Sequence, residues 1–380
     1  MIKLLFILIF AVSCSSFKKI KEDISDVDYK SYVDKRVREK NYLNIAWAKN
    51  LDPKYSSGNR PIGFASPTIY EDVLYMGTLS GDINAYNSEN GQMLWSHNEG
   101  QPLNAKVSLF KDNIVYGSMY GRLFSRNTIS SKLNYSIDLG APIESAPLVS
   151  DGRLYVHLRN HKIVALDAKT GKIFWTYQRS IPFKITLQRV SRPISYKNSI
   201  IVGFADGYLV KIDKNEGIVQ WESQLSKAAK FVDVDLTPVI FNDQIISGSA
   251  AGKLSFISPS NGFVTKSANI IAGHSPVIIN NEIYVGSIYG YIYKLDSTGQ
   301  ILTRRKLTDN SIGSIKEWKG QIAVSTMGQD VFVLKPYNLD IIESWKLGSE
   351  VSSAFGEFTS DGNILSLYSS RNRLYVFKFF

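Results

Sequence analysis

The chain is poor in the residues that build disulfides and metal centres. Cysteine occurs once in 380 residues, at Cys14. A disulfide framework and a cysteine-rich metal site are therefore excluded. Histidine occurs four times, as His97, His157, His161 and His274. Only His157 and His161 are neighbours in sequence, and two histidines are too few for a defined site. The apolar run at residues 4–12 is too short to span a bilayer. Lysine and arginine outnumber the acids for a net charge of +10, but they form no basic arm. A nucleic-acid partner is not expected. No Ser-His-Asp set and no phosphate-cradling glycine loop stands out. What is present is a globular composition, 44% hydrophobic and 21% charged, which excludes disorder over the whole chain. Twenty-one Tyr, 19 Phe and 27 Gly lean toward strands and tight turns.

The N-terminus reads as an address. Lys3 precedes the apolar run, and Ala11-Val12-Ser13-Cys14 follows the pattern of a lipobox, with Ala11 where Leu is usual. Residues 1–13 are expected to be a lipoprotein signal peptide, cut before an acylated Cys14. Several acyl chains on one cysteine hold a protein firmly to a membrane. Ser15 follows rather than Asp, which under the enteric sorting rule implies the outer membrane. Residues 14–42 then read as the lipidated cysteine and a charged tether: 14 of the 26 residues from 15 to 40 are charged, eight basic and six acidic.

The remainder repeats. A short β-rich segment begins at Leu74, Ile114, Leu154, Ile200, Ile245, Ile283, Ile322 and Ile364, in steps of 40, 40, 46, 45, 38, 39 and 42 residues. A period near 40 indicates a propeller or solenoid. Seven residues before the segment stands Pro67, Pro147, Pro193, Pro238 or Pro276, which suits the first residue of a strand. Seven residues after it stands Gly81, Gly121, Gly207, Gly252 or Gly290, which suits a hairpin turn. A second glycine follows at Gly91, Gly171, Gly217 and Gly262, and then an aromatic at Trp95, Tyr135, Trp175, Trp221 or Trp345. Each copy reads as one four-stranded blade, with the aromatics as wedges between blades. The last copy supplies only three strands. The segment 43–51, with Trp47 in the aromatic slot, reads as the missing fourth. The expectation is an all-β, eight-bladed propeller over 43–380, closed by its N-terminal strand so that no long sheet edge is left open.

Asp167-Ala168-Lys169-Thr170-Gly171-Lys172-Ile173-Phe174-Trp175 resembles the quinoprotein-type propeller repeat. That repeat implies a fold and not a function. Lipobox and ring together resemble the BamB family of the outer-membrane β-barrel assembly machinery. The most specific piece is Asp233-Val234-Asp235-Leu236-Thr237-Pro238. Residues two apart in an extended segment point the same way, so Asp233 and Asp235 would offer two carboxylates to a basic partner. The alternative is a pair of loop aspartates in local turn hydrogen bonds. The resemblance implies that these aspartates help dock the POTRA domains of a BamA-like protein. It also implies a second docking element, a Leu-x-Leu-Arg stretch one blade earlier. Aligned on Pro193, that stretch falls on Ile185, Leu187 and Gln188, with Arg189 next in line. Either Arg189 takes the arginine role or the contact differs, and Ile185 and Leu187 also suit blade-core packing. The family implies a non-catalytic, cofactor-free scaffold, monomeric within a hetero-complex at the periplasmic face of the outer membrane. Two other readings stand beside it. One is an envelope-anchored propeller for another protein or polymer. The other is a quinone-dependent dehydrogenase, which would need a calcium-type metal beside its cofactor.

Overall fold

A computed structural model describes residues 42–51, 65–181, 190–227, 230–250, 252–347, 356–370 and 372–379. Cys14 and the tether lie outside the described residues, as do Ile185, Leu187, Gln188 and Arg189. The described residues form 32 strands and no helix. They make eight antiparallel four-stranded sheets, each built from strands in sequence order but for one. Blades 1 to 7 span 68–98, 108–138, 148–178, 194–224, 239–268, 277–306 and 312–346. Blade 8 takes its first three strands from 359–378 and its fourth from Asn44–Asn50. The protein is an eight-bladed β-propeller.

Burial sets the radial order. The second and third strands are nearly all buried, as in Leu74-Tyr75-Met76-Gly77 and Ile83-Asn84-Ala85-Tyr86. The outermost strands have exposed and half-buried residues in alternation, as in Ile173–Gln178. The first strands of several neighbouring blades touch one another, which puts them nearest the axis. The aromatics are wedges as expected. Trp95, Trp175 and Trp221 donate their indole N–H to the carbonyls of Thr128, Lys214 and Pro259 in the next blade, at 2.9–3.0 Å. Trp47 does the same to Ser88, so the closing seam between blades 8 and 1 is built like the others. Under Trp47, Trp175 and Trp221 lies the second glycine of the next blade, whereas blade 2 has Ser131 in that slot. At Gly217 (φ +74°) an added Cβ would stand 2.6 Å from Trp175, and at Gly91 (φ +71°) 2.7 Å from Trp47. Both the left-handed backbone and the missing side chain are therefore required there.

The turn before that glycine explains the Asp-Ala-Lys-Thr-Gly wording. Asp167 Oδ1 accepts from the backbone N–H of Lys169 and Thr170 and from the Thr170 hydroxyl, and these bonds lower its pKa. Asn87, Asn127, Asp213 and Asp296 make equivalent bonds. Blade 8 differs by one residue from the spacing of the others. Its second strand starts at Ile364, where the other seven start one residue ahead of the repeat position. The equivalent of Leu74 is thus Leu365, and the proline slot falls on Phe358.

Candidate functional site: the connectors between blades 3, 4 and 5

The two segments singled out by sequence both connect an outermost strand to the innermost strand of the next blade. The first runs from blade 3 to blade 4, the second from blade 4 to blade 5. The structure brings their described parts together. Ser191 Oγ, at the end of the first, donates to the carbonyl of Leu236 in the second at 3.1 Å. Beneath them His157 Nδ1 donates to the Ser191 carbonyl at 2.9 Å. His157 is buried, and burial pushes its pKa down to about 4, so the ring is neutral.

The first connector is pinned where it leaves blade 3. The Arg179 guanidinium bonds to Asp206 Oδ2 at 2.7 Å and to Glu222 Oε1 at 2.6 Å, both on blade 4. It lies over the rings of Phe204 and Tyr208, 5.4 and 4.9 Å from their centres. Burial opposes the Arg179 charge, but the bonds to Glu222, Asp206 and Tyr177 outweigh it and raise its pKa. Spacing along the chain does not reveal this cluster, because its three charged members come from two blades. The visible signal was only the histidine at position 161, seven residues after Leu154, where five other copies have glycine; His161 is half-buried and in the left-handed region (φ 66°). Burial lowers the His161 pKa against the pull of Asp206 and Asp233.

The second connector lies against a small-residue edge of blade 4. Val234 N–H donates to the Phe204 carbonyl at 3.0 Å, and Ala250 N–H of blade 5 donates to the Asp233 carbonyl at 2.9 Å. A Cβ at Gly203 would stand 2.1 Å from the Val234 carbonyl oxygen, so the close approach needs that glycine. Val232, Val234 and Leu236 are buried. The two aspartates are not equivalent. Asp233 is 0% exposed in the isolated chain, whereas Asp235 is half-buried and reaches the surface. The Asp233 carbonyl is tied to Ala250 of blade 5, and its carboxylate acts on His161 of blade 3.

The connector face does not fit a quinone with a calcium-type metal. Among the described residues no three His, Cys, Asp or Glu side chains gather as a ligand set. Near the axis the carboxylate of Glu357 is already paired with Lys106, and the described residues beside it, Lys106 and His274, bring nitrogen rather than oxygen donors. A hard cation needs several oxygen donors, the opposite balance.

A family model described as "Outer membrane protein assembly factor BamB" matches residues 79–303, more than half of the chain. The outer membrane protein assembly factor BamB of Shewanella oneidensis is 19% identical over 280 residues, 68% of this chain and 71% of that protein. The quinoprotein alcohol dehydrogenase PedH of Pseudomonas putida is 27% identical over 160 residues, which is 40% of this chain but only 24% of the enzyme. Among solved structures, BamB from Moraxella catarrhalis superposes with a TM-score of 0.75 at 17% identity, covering 89% of this chain and 100% of that one. At that identity the superposition speaks for the fold alone.

Proposed function

The chain belongs to the BamB family of outer membrane protein assembly factors, and from that premise we propose that it is a non-catalytic scaffold lipoprotein of the β-barrel assembly machinery. In this reading Cys14 carries the lipid that holds the ring at the periplasmic face of the outer membrane. The connectors between blades 3, 4 and 5 dock the POTRA domains of a BamA-like protein. The observation that carries the reading is the family match over 79–303, which contains both connectors. The geometry supports it in part, because a bond from Ser191 to Leu236 joins the described end of the first connector to the second. Asp235 is then the carboxylate that meets a basic partner group. The buried Asp233 shapes the connector, and Ile185, Leu187 and Gln188 or Arg189 complete the contact from the first connector.

The test is recovery of the partner from detergent-solubilised envelopes on tagged full-length protein with Cys14 intact. A BamA-like protein with POTRA domains is expected among the recovered proteins. Asp235→Lys is expected to lower its recovery about tenfold, since a charged hydrogen bond lost and reversed is worth 1.4 kcal/mol or more. Unchanged recovery with Asp235→Lys would remove the docking assignment. Absence of any barrel-assembly protein would favour the envelope-anchored propeller for another protein or polymer. The dehydrogenase reading draws on the PedH similarity, and mixing protein with quinone and calcium tests it by absorbance. No change is expected.

A further inference from the structure

Four connectors leading into alternate blades send charged side chains to one place. Lys106 precedes the innermost strand of blade 2, Arg192 that of blade 4, His274 that of blade 6 and Glu357 that of blade 8. Lys106 Nζ stands 3.2 Å from Glu357 Oε2, and His274 Nε2 stands 3.7 Å from Glu357 Oε1. Blades 2 and 6 face each other across an eight-membered ring. One carboxylate reached from both of them stands at the axis. Gly356 and Phe358 on either side of Glu357 are buried, yet 43% of its side-chain surface is open. That combination marks a side chain that lines an internal space rather than one packed in a core. Its backbone is fixed, since Glu357 N–H donates to Ser66 Oγ at 2.8 Å and the next N–H donates to Ser314 Oγ at 3.1 Å.

The charges at this place do not cancel. Lys106 and Arg192 are cations, and Glu357 is a carboxylate paired with Lys106 alone of the two. Burial would raise the Glu357 pKa, but His274 and Lys106 outweigh it and hold the carboxyl well below the usual range. Arg192 feels Glu357 only at long range, and its burial lowers its pKa. Its Nε is buried, with no hydrogen-bond acceptor among the described residues. A buried donor without an acceptor costs about 1–3 kcal/mol, so an acceptor at that position would be stabilising. His274 Nδ1 is committed as a donor to the Ser275 carbonyl at 3.0 Å, which fixes the ring with Nε2 toward the axis.

We propose that this axial cluster binds one small oxyanion, a carboxylate or a phosphate group, with Arg192 and Lys106 as its charged donors and Glu357 as the built-in competitor for them. The guanidinium supplies the orphaned N–H and its fork to two oxygens of the ligand. Lys106 is shared between ligand and Glu357, and His274 Nε2 faces the same carboxylate. The site shares the first connector with the docking reading through Arg192, but it uses neither Asp235 nor residues 182–189, so its titration can fail or succeed separately from partner recovery.

The experiment is calorimetric titration of the full-length chain with inorganic phosphate and, separately, with acetate, at an ionic strength held constant with chloride. Saturable binding of either supports the site, and whichever probe binds assigns the ligand class. Arg192→Gln is expected to weaken binding about tenfold or more, as loss of a charge-assisted bond does. Glu357→Gln is expected to tighten it about tenfold, because the competing carboxylate is gone. Lys378→Gln, remote on the closing seam, is expected to leave it unchanged. No saturable binding of either probe by the wild type overturns the proposal. So does equal affinity in folded Arg192→Gln. If Arg192→Gln does not fold by circular dichroism, Glu357→Gln decides: tighter binding supports the site, and unchanged or weaker binding overturns it.

Discussion

The two ends of the blades obey different rules. At one end, where the third strand turns into the outermost, four described seams share one contact. An indole from one blade donates to a backbone carbonyl of the next, as with Trp47, Trp95, Trp175 and Trp221, and all but Trp95 also lie on a left-handed glycine there. At the other end, where blades are joined by connectors, a backbone bond recurs, as where Leu103, Ile143, Val234 and Ile312 donate to the carbonyls of Thr78, Ser118, Phe204 and Ser287, but the described side chains differ. There the structure holds the Arg179 pair, the buried His157, the Asp233–Pro238 segment and the axial charges. Repetition carries the ring, and departures from repetition carry the chemistry. A connector is free to vary because the seam at the far end already fixes the blade.

If that division is right, the largest penalty comes from a unique contact at the connector end. Arg179→Met leaves Asp206, whose side chain is about as buried as the arginine's at 10–11% exposure, without its cation. Breaking one side of such a pair is expected to cost about 4 kcal/mol in urea unfolding. The double change Arg179→Met with Asp206→Leu is expected to regain most of that, since the unpaired buried charge is gone. A double variant as weak as the single one would show that the pair organises the connector rather than merely cancelling a charge.

The seam end is next. Trp47→Ala removes an indole from Gly91 and a hydrogen bond to Ser88. The expected loss is about 3 kcal/mol. Trp175→Ala, between blades 3 and 4, is expected to lose the same to within about 1 kcal/mol, because its contacts with Gly217 and Lys214 are equivalent. A much larger loss at Trp47 would break the equivalence and make the closing seam special.

A smaller and pH-dependent effect separates the ends again. In the unfolded chain a histidine titrates near 6.5, while burial holds His157 in the folded chain at about 4. As pH falls below 6.5 the unfolded chain takes up a proton that the folded chain refuses. Stability that is complete above pH 6.5 is therefore lost progressively toward pH 4. At pH 5 the loss is about 2 kcal/mol. His157→Leu is expected to be less stable than the wild type at pH 7.5, with the gap narrowing by about 2 kcal/mol at pH 5. Parallel curves would put the titration elsewhere.

This division also accounts for what the sequence disclosed. The ring, the blade number, the closing strand at Asn44–Asn50 and the aromatic wedges follow from residues that recur at fixed offsets, and a recurring offset is visible in a single chain. Blade 8 was placed one residue off because its proline slot holds Phe358 and the marker residue is absent. At the connectors the sequence offered Asp233 and Asp235 as a pair on one side. The structure separates them, because three of their neighbours, Val232, Val234 and Leu236, are buried against blades 4 and 5 and the segment does not alternate as a free strand would. The axial cluster was not legible. Its members lie up to 251 residues apart and meet only because the ring closes. The one trace was the residue ahead of the proline slot, charged at Lys106, Arg192 and Glu357 and small elsewhere in the described copies, as at Ser66, Ala146 and Ser314.

The smallest effect expected is at the closing seam itself. Lys378 Nζ of blade 8 lies 3.3 Å from Glu89 Oε1 of blade 1, an ion pair that spans the join in the ring. Its position invites the view that charge latches the propeller. The surroundings argue otherwise. The Glu89 side chain is 62% exposed, so water and salt screen the pair, and holding two long side chains in one geometry offsets much of the attraction. Glu89→Gln is expected to change stability by less than about 0.5 kcal/mol, and the difference should vanish in 1 M salt. Trp47, a few ångströms inward on the same seam, is expected to matter several times more. A loss of about 2 kcal/mol or more in Glu89→Gln, above the range for exposed pairs, would reverse that ranking. The N-terminal strand would then be held by charge, and the closing seam would belong with the connectors rather than with the repeated wedges.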